Sequence, residues 1–232
     1  MKVSIIIPTL NEESNIEKLL PYLNKMEHID AHEIIVADGN SEDDTVNIAS
    51  DLGAIVCKTN IQNRGAQMNR GVEVATGDIY YFIHADTLPP ATCVQDVIAK
   101  VNNGANIGCF RFRFDSKNPL LKINSFFTRF DKVWCRGGDQ SLFVTKDFFN
   151  EMNGYDESCH IMEDFEFITR AKQQQNEFTI IPKDVLVSPR KYDDNGYVRV
   201  QLANLVAFRK FNKGESSKKI LDTYRKMLNY RY

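Results

Sequence analysis

Short apolar runs, each closed by Pro, Gly or an acid and followed by residues at helical spacing, fill the first third of the chain. Residues 3–7 (VSIII) predict a buried strand that Pro8 ends, and Ile16, Leu19, Leu20 and Leu23 then recur on one helical face. Ser14 and Glu17 have the spacing of a capping box for that helix. A second run, 33–37, stops at Asp38-Gly39, where Ser41 is placed to cap a helix to about Leu52, and Gly53 suits its stop. Residues 54–57 predict a third strand, 65–75 a helix, and 79–83 a fourth strand entered through Gly77-Asp78. Alternation of this kind implies a mostly parallel sheet with right-handed crossovers, whose ligands bind beyond the carboxyl ends of the strands. Pro8, Asp38 and Asp86 all fall there.

The second half is less periodic. CFRFRF (109–114) alternates apolar residues with Arg and reads as a half-exposed strand. Residues 119–136 are aromatic and basic without a clean period, 143–144 predict a short strand, and 146–152 a short helix closed by Gly154. A helix over 163–173 and a strand over 178–181 follow. With no internal repeat, low-complexity stretch or linker, the chain reads as one domain over 1–197 carrying a basic helical extension, 198–232.

Composition narrows the class. At 232 residues and 43% hydrophobic, the chain can bury a proper core. Its 29 basic and 31 acidic residues balance to −2, which argues against a dedicated nucleic-acid binder. Residues 207–232 nonetheless carry eight Lys/Arg, Arg231 among them, against Glu215 and Asp222. That tail either meets an anionic lipid or acidic partner or is a solvated helix face. Five cysteines without a CxxC spacing suit a reducing compartment better than disulfides or zinc. No apolar stretch is long enough to span a membrane, and the N-terminal run is too short for a signal peptide. The expected location is the cytoplasm, with any membrane contact peripheral, at the inner face.

The candidate chemistry is carboxylate chemistry at strand ends. PTLNEE (8–13) and DGNSEDDT (38–45) end adjacent predicted strands and together offer donors, acceptors and a carboxylate for a nucleoside; alone, 38–41 is a turn and helix cap. HADT (84–87) puts Asp86 beyond a buried strand, where it can hold a hard divalent ion; a turn former and a structural imidazole at His84 are the plain alternatives. Arg64 and Gly65 precede a helix whose free N–H groups can receive an anion. In MEDFEF (162–167) Glu163 and Asp164 suit a helix start electrostatically, and one can act as general base. GGDQ (137–140) adds Asp139 and Gln140.

In order and spacing, SIIIPTLNEE, EIIVADGNSEDDT, RGAQMNRG, HADT, GDQ and MED resemble the family 2 glycosyltransferases of the GT-A fold, in a compact single-domain bacterial form, over nearly the whole chain. The resemblance implies an α/β fold with a mostly parallel mixed sheet flanked by helices. It also implies an inverting, metal-assisted transfer from a nucleoside-diphosphate sugar, UDP-sugars favoured, to a hydroxyl acceptor. On it, Pro8, Thr9, Asn11, Glu12 and Asp38 line the nucleoside pocket and Arg64 sits near the base or phosphates. Asp86 matches the last Asp of the DxD motif and holds Mn²⁺ or Mg²⁺; Asp164 is the base with Glu163 beside it; Asp139 and Gln140 lie on the acceptor side. His84 stands where the family has the first Asp of DxD, which leaves metal or ribose as its partner. Membrane-crossing helices of the processive synthases are missing from the sequence. Two competitors remain weaker. A sugar nucleotidyltransferase needs a Gly-rich basic loop where PTLNEE stands, and a catalytically silent nucleotide-sugar binder does not need Asp38, Asp86 and Asp164 together.

Overall fold

The computed structural model describes residues 1–174 and 177–229; Arg231 of the basic tail lies outside them. The strand–helix alternation is present: β1 (Val3–Thr9), α1 (Glu13–Leu23), β2 (Glu33–Asp38), α2 (Thr45–Asp51), β3 (Ile55–Lys58), α3 (Arg64–Val74) and β4 (Ile79–Phe82). Then come β5 (Thr87–Leu88), α4 (Cys93–Asn102), β6 (Ile107–Phe114), α5 (Pro119–Phe127), β7 (Leu142–Thr145), α6 (Lys146–Glu151), α7 (Glu163–Gln174) and β8 (Thr179–Val187). The helices α8 (Arg190–Asn195), α9 (Tyr197–Asn212) and α10 (Ser217–Met227) complete the series.

Among the described residues the strands form one eight-stranded sheet in the order β3-β2-β1-β4-β7-β6-β8-β5. From β3 to β4 neighbouring strands are parallel, with Thr9 opposite Asp38 and Ile6 opposite Phe82. At β4–β7 the pairing turns antiparallel, and β6 and β8 are parallel to each other with a register shift between Phe110 and Arg111. β1 is buried at every position because both sheet faces are covered. Val3, Ile5 and Ile7 join Tyr81 and Phe110 in one core, whereas Ile6, Tyr80, Phe82 and Phe167 belong to the other. At Gly71 a Cβ would stand 2.5 Å from Ile6 Cγ2, so only glycine lets α3 lie this close to β1.

Three local expectations are corrected. α1 is not opened by a Ser14–Glu17 box: its N-cap is Glu12, with no side-chain cap bond. The backbone N–H groups of Asn11, Glu12 and Glu13 instead donate to Ser41 Oγ (2.8 Å), Thr45 Oγ1 (2.9 Å) and Asp43 Oδ2 (3.2 Å). Asn11 Oδ1 and Glu13 Oε2 accept in return from the N–H groups of Glu42 and Asp44. Ser41 accordingly does not cap α2, which starts at Thr45 after Asp44. Arg64 does not precede α3 but is its first residue, and the Asn63 side chain caps the helix from Ala66 N.

The C-terminal helices pack on the sheet domain. Ile220, Leu221, Tyr224, Val200 and Ala203 share a third apolar cluster with Leu121, Ile161 and Tyr192.

Candidate active site

A cavity of about 640 Å³ opens where the chain leaves β1, β4 and β8, and α5, α7, α9 and α10 complete its walls. Pro8, Glu12, Arg64, His84, Asp86, Asp139, Gln140, Glu163 and Asp164 all line it. Thr9, Asn11 and Asp38 do not belong to that lining. Asp38 is fully buried; its carboxylate accepts from Thr9 Oγ1 (3.2 Å), Ser41 N (2.8 Å) and Ser41 Oγ (2.5 Å), so it holds the loop that caps α1. Gln140 reaches the lining, but its amide is engaged inside the protein: Nε2 donates to Cys135 O, and Oε1 accepts from Arg136 Nη1 (2.5 Å). Arg136, buried and stacked over Phe178, also donates to the carbonyls of Thr128 and Phe130. Gln140 therefore shapes the wall rather than offering a free amide.

The backbone around the acids is strained. Met162, just before Glu163, has φ 68°, and Ser141, just after Gln140, has φ 55°. Non-glycine residues held in the left-handed region cost of order 1–3 kcal/mol and concentrate at functional sites.

Electrostatics separates the carboxylates. Glu163 is paired with Arg64, Nη1 to Oε1 at 3.1 Å. Asp164 is buried, and burial together with the neighbouring Glu163 charge pushes its carboxyl up to about 7, against the opposing pull of His84 and Arg64. It is thus the acid whose ionisation falls near neutral pH, as a general base requires. Asp139, though half exposed, is held down to about 2: desolvation inside the cavity opposes this, and the His84 imidazole, with Nδ1 3.6 Å from Oδ1, overrides it. His84 is raised in turn; its own burial lowers it, and Asp139 and Asp164 outweigh that. Asp86 is raised by burial and then by the Asp139 charge, and Glu12 by burial.

Carboxylates that repel one another in a cleft are a donor set suited to a hard divalent cation. Asp86 and Asp139 fit that chemistry, with His84 in the same lining. Among the described residues no group of three or more His, Cys, Asp or Glu forms a ready-made cage. The fit is to an ion that keeps most of its shell for a ligand's oxygens.

Sequence reasoning missed several lining residues. Arg190 Nη2 lies 3.6 Å from Glu12 Oε1, and its charge lowers both Glu12 and Asp86. Lys191 follows it in the lining, and its charge lowers Asp139. The signal was a basic pair at the end of a strand, concealed because β8 runs six residues beyond the predicted 178–181. Asn124, Tyr192, Tyr197 and Gln201 form a further polar wall: Asn124 donates to Tyr192 OH (2.7 Å) and accepts from Tyr197 OH (3.1 Å) and Gln201 Nε2 (2.7 Å).

The family model described as glycosyl transferase family 2 matches residues 4–154. A dolichol-phosphate mannosyltransferase of Pyrococcus furiosus is 31% identical over 112 residues, 46% of this chain and 32% of that protein. The chain likewise matches less than half the length of the curated relatives that follow it in similarity. Among solved structures, the mannosyltransferase PcManGT of Pyrobaculum calidifontis in complex with GDP-Man and Mn²⁺ is 17% identical. It superposes with a TM-score of 0.70 over 97% of this chain and 69% of its own. S. aureus TarS 1–349 in complex with UDP-GlcNAc is 18% identical, with a TM-score of 0.68 over 98% and 71%. These likenesses identify the architecture as the GT-A fold.

Proposed function

The chain belongs to glycosyl transferase family 2, and on that premise we propose that it moves a sugar from a nucleoside-diphosphate sugar, UDP-sugars favoured, to a hydroxyl acceptor with inversion. The observation that carries this reading is one cavity holding Asp86, Arg64, Arg190 and the buried Asp164, an acid poised near neutrality. GDP-Man with Mn²⁺ and UDP-GlcNAc in structures of the same fold support the ligand class and a divalent metal.

Asp164 takes the proton of the acceptor hydroxyl while the oxygen attacks the anomeric carbon and the bond to the diphosphate breaks. Glu163, paired with Arg64 at the start of α7, adds the charge that helps hold Asp164 near neutrality. Arg64 and Arg190 receive the charge developing on the leaving diphosphate. Mn²⁺ or Mg²⁺ held by Asp86, with Asp139 or His84 beside it, would neutralise the same diphosphate as a Lewis acid. Pro8 and Glu12 meet the nucleoside, and Thr9, Asn11 and Asp38 act behind them by fixing the loop at residues 38–45. Asp139 borders the acceptor, and Gln140 supports that side through Arg136. We take residues 198–232 as part of the same domain, and the cytoplasm as its location, in keeping with five free cysteines. No helix among the described residues is long and apolar enough to cross a membrane.

The test is release of nucleoside diphosphate from a panel of UDP- and GDP-sugars, with and without Mn²⁺ and candidate acceptors. Asp164→Asn should slow turnover by about 10²–10⁴ with donor affinity retained. Binding without turnover of any donor would make the chain a silent nucleotide-sugar binder, and undiminished turnover in the variant would remove Asp164 from the role of base.

A further inference from the structure

One surface of the molecule is apolar where solvent should favour polar residues. Leu120, Ile123, Phe126, Phe127, Phe130 and Trp134, on α5 and the segment after it, are each between 39% and 54% exposed. The rings touch one another rather than the core: Phe126–Phe130 at 5.6 Å and Phe127–Trp134 at 5.4 Å between centroids. The patch continues onto α9, where Val198, Leu202 and Leu205 are 68%, 52% and 46% exposed. Their spacing of four and three residues puts them on one helical face. Asn124 joins the two helices through its bonds to Tyr197 and Gln201. A contiguous exposed surface of this kind marks an interaction site.

Two observations say what covers it. The rim is basic: Lys117, Lys122, Arg129 and Lys132 are exposed around the rings, and the one acid between residues 117 and 134, Asp131, is paired with Lys172 at 2.5 Å. α9 contains no acid and adds exposed Arg199 and Arg209, although exposed Asp193 and Asp194 precede it and exposed Asp115 precedes Lys117. A second copy set against this face would bring like charges together, whereas anionic headgroups complement it. The patch is also continuous with the cavity, since Ile123, Phe127 and Trp134 line both. Aromatic rings bordered by Lys and Arg are the composition of a surface that sits at a bilayer interface.

We propose that the α5–α9 face docks the protein on an anionic bilayer, rings among the headgroups and basic rim on lipid phosphates, with the cavity mouth toward the membrane. The contact lies on this face and not on the basic tail, and it stands independently of which reaction the cavity performs.

The experiment is co-sedimentation of the full chain with vesicles of phosphatidylcholine alone and of equimolar phosphatidylcholine and phosphatidylglycerol, at low and high salt. The wild type should partition at least about tenfold better onto the anionic vesicles, and salt should weaken that binding. Phe126→Ser with Phe130→Ser, and separately Leu202→Ser with Leu205→Ser, should each lower partitioning by about tenfold or more while leaving the thermal midpoint and nucleotide affinity in place. None of these four residues lines the cavity. Lys122→Glu with Arg129→Glu supplies a variant that keeps the apolar surface and should lose binding to anionic vesicles only. Wild-type protein left in the supernatant overturns the proposal, as does unchanged binding in the charge-reversed variant. Self-association in lipid-free sedimentation that the serine variants abolish would assign the face to a second copy instead.

Discussion

Replacing Asp164 by Asn should make the free protein more stable at alkaline pH even as it removes the proposed base. The folded carboxyl is held at about 7 where its ordinary value is 3.8, chiefly by burial and then by Glu163. The sign follows from proton counting. Between pH 3.8 and 7 the folded state binds more protons than the unfolded chain, so stability falls as pH rises through that window and the full cost is present above it. A gap of that size corresponds to roughly 4 kcal/mol. The buried amide that replaces the carboxylate has hydrogen-bonding demands of its own, so about 2 kcal/mol of net gain is expected at pH 8.5. For a chain of this length that is a rise of about 4–8 °C in the thermal midpoint. The measurement is thermal unfolding of both proteins in EDTA, without nucleotide, at pH 8.5 and near pH 4. The advantage of the variant should be present at the higher pH and close to nil at the lower. A variant less stable than the wild type at pH 8.5, or equally advantaged at both, would refute the burial argument.

Three other perturbations probe separate parts of the structure. Glu33 accepts from Lys2 Nζ, Ser4 Oγ and both the N–H and hydroxyl of Thr76; burial opposes its ionisation, yet these bonds hold the carboxyl at about 2. Glu33→Gln should therefore cost about 1–3 kcal/mol in urea unfolding at pH 7, and the deficit should shrink as pH falls below 4.5 toward 2, since this stability exists only while the folded carboxylate is ionised. Arg190→Ala should weaken binding of UDP or GDP by about tenfold in calorimetry and leave the free nucleoside's weak binding unaltered; equal losses for both would take Arg190 off the diphosphate. Gly71→Ala puts a methyl against Ile6 and should destabilise by about 1–3 kcal/mol, seen as an earlier urea midpoint; an unchanged midpoint would mean that α3 shifts freely on β1.

The parallel half of the sheet was legible because its signals are local. β1, β2 and β4 are apolar runs buried at every position, although β1 carries on through Pro8 to Thr9 and β3 is a part-exposed edge. The cap of α1 was not legible: the groups that satisfy its first N–H bonds come from residues 41–45, about thirty positions away, so the nearby Ser14 and Glu17 offered a plausible but unused alternative. α5 showed no clean period because apolar residues occupy its exposed face, Leu120, Ile123, Phe126 and Phe127, as well as its buried one, Leu121. β8 looked short because Pro182, Lys183 and Asp184 interrupt its apolar pattern where it pairs with β6 across a register shift. That truncation concealed Arg190 and Lys191. Of the acids, the order along the chain was readable, but their separation was not. Only packing reveals that Glu163 meets Arg64 while Asp164 is left with burial, and that Asp38 faces its own loop instead of the cavity.

The change of strand direction between β4 and β7 has an evolutionary consequence. His84 and Asp86 follow β4, Asp139 and Gln140 precede β7, and the antiparallel pairing of Ile79 with Thr145 and Tyr81 with Phe143 joins their strands. On the proposed function, the βα units before this seam bind the nucleotide sugar, and α5 and the three C-terminal helices beyond it border the acceptor. Descent can therefore rewrite one half while conserving the other, provided the few contacts across the seam persist. Chimaeras exchanged between residues 89 and 106 with a relative of the same fold should then keep nucleotide binding of the first parent and take their acceptor preference from the second.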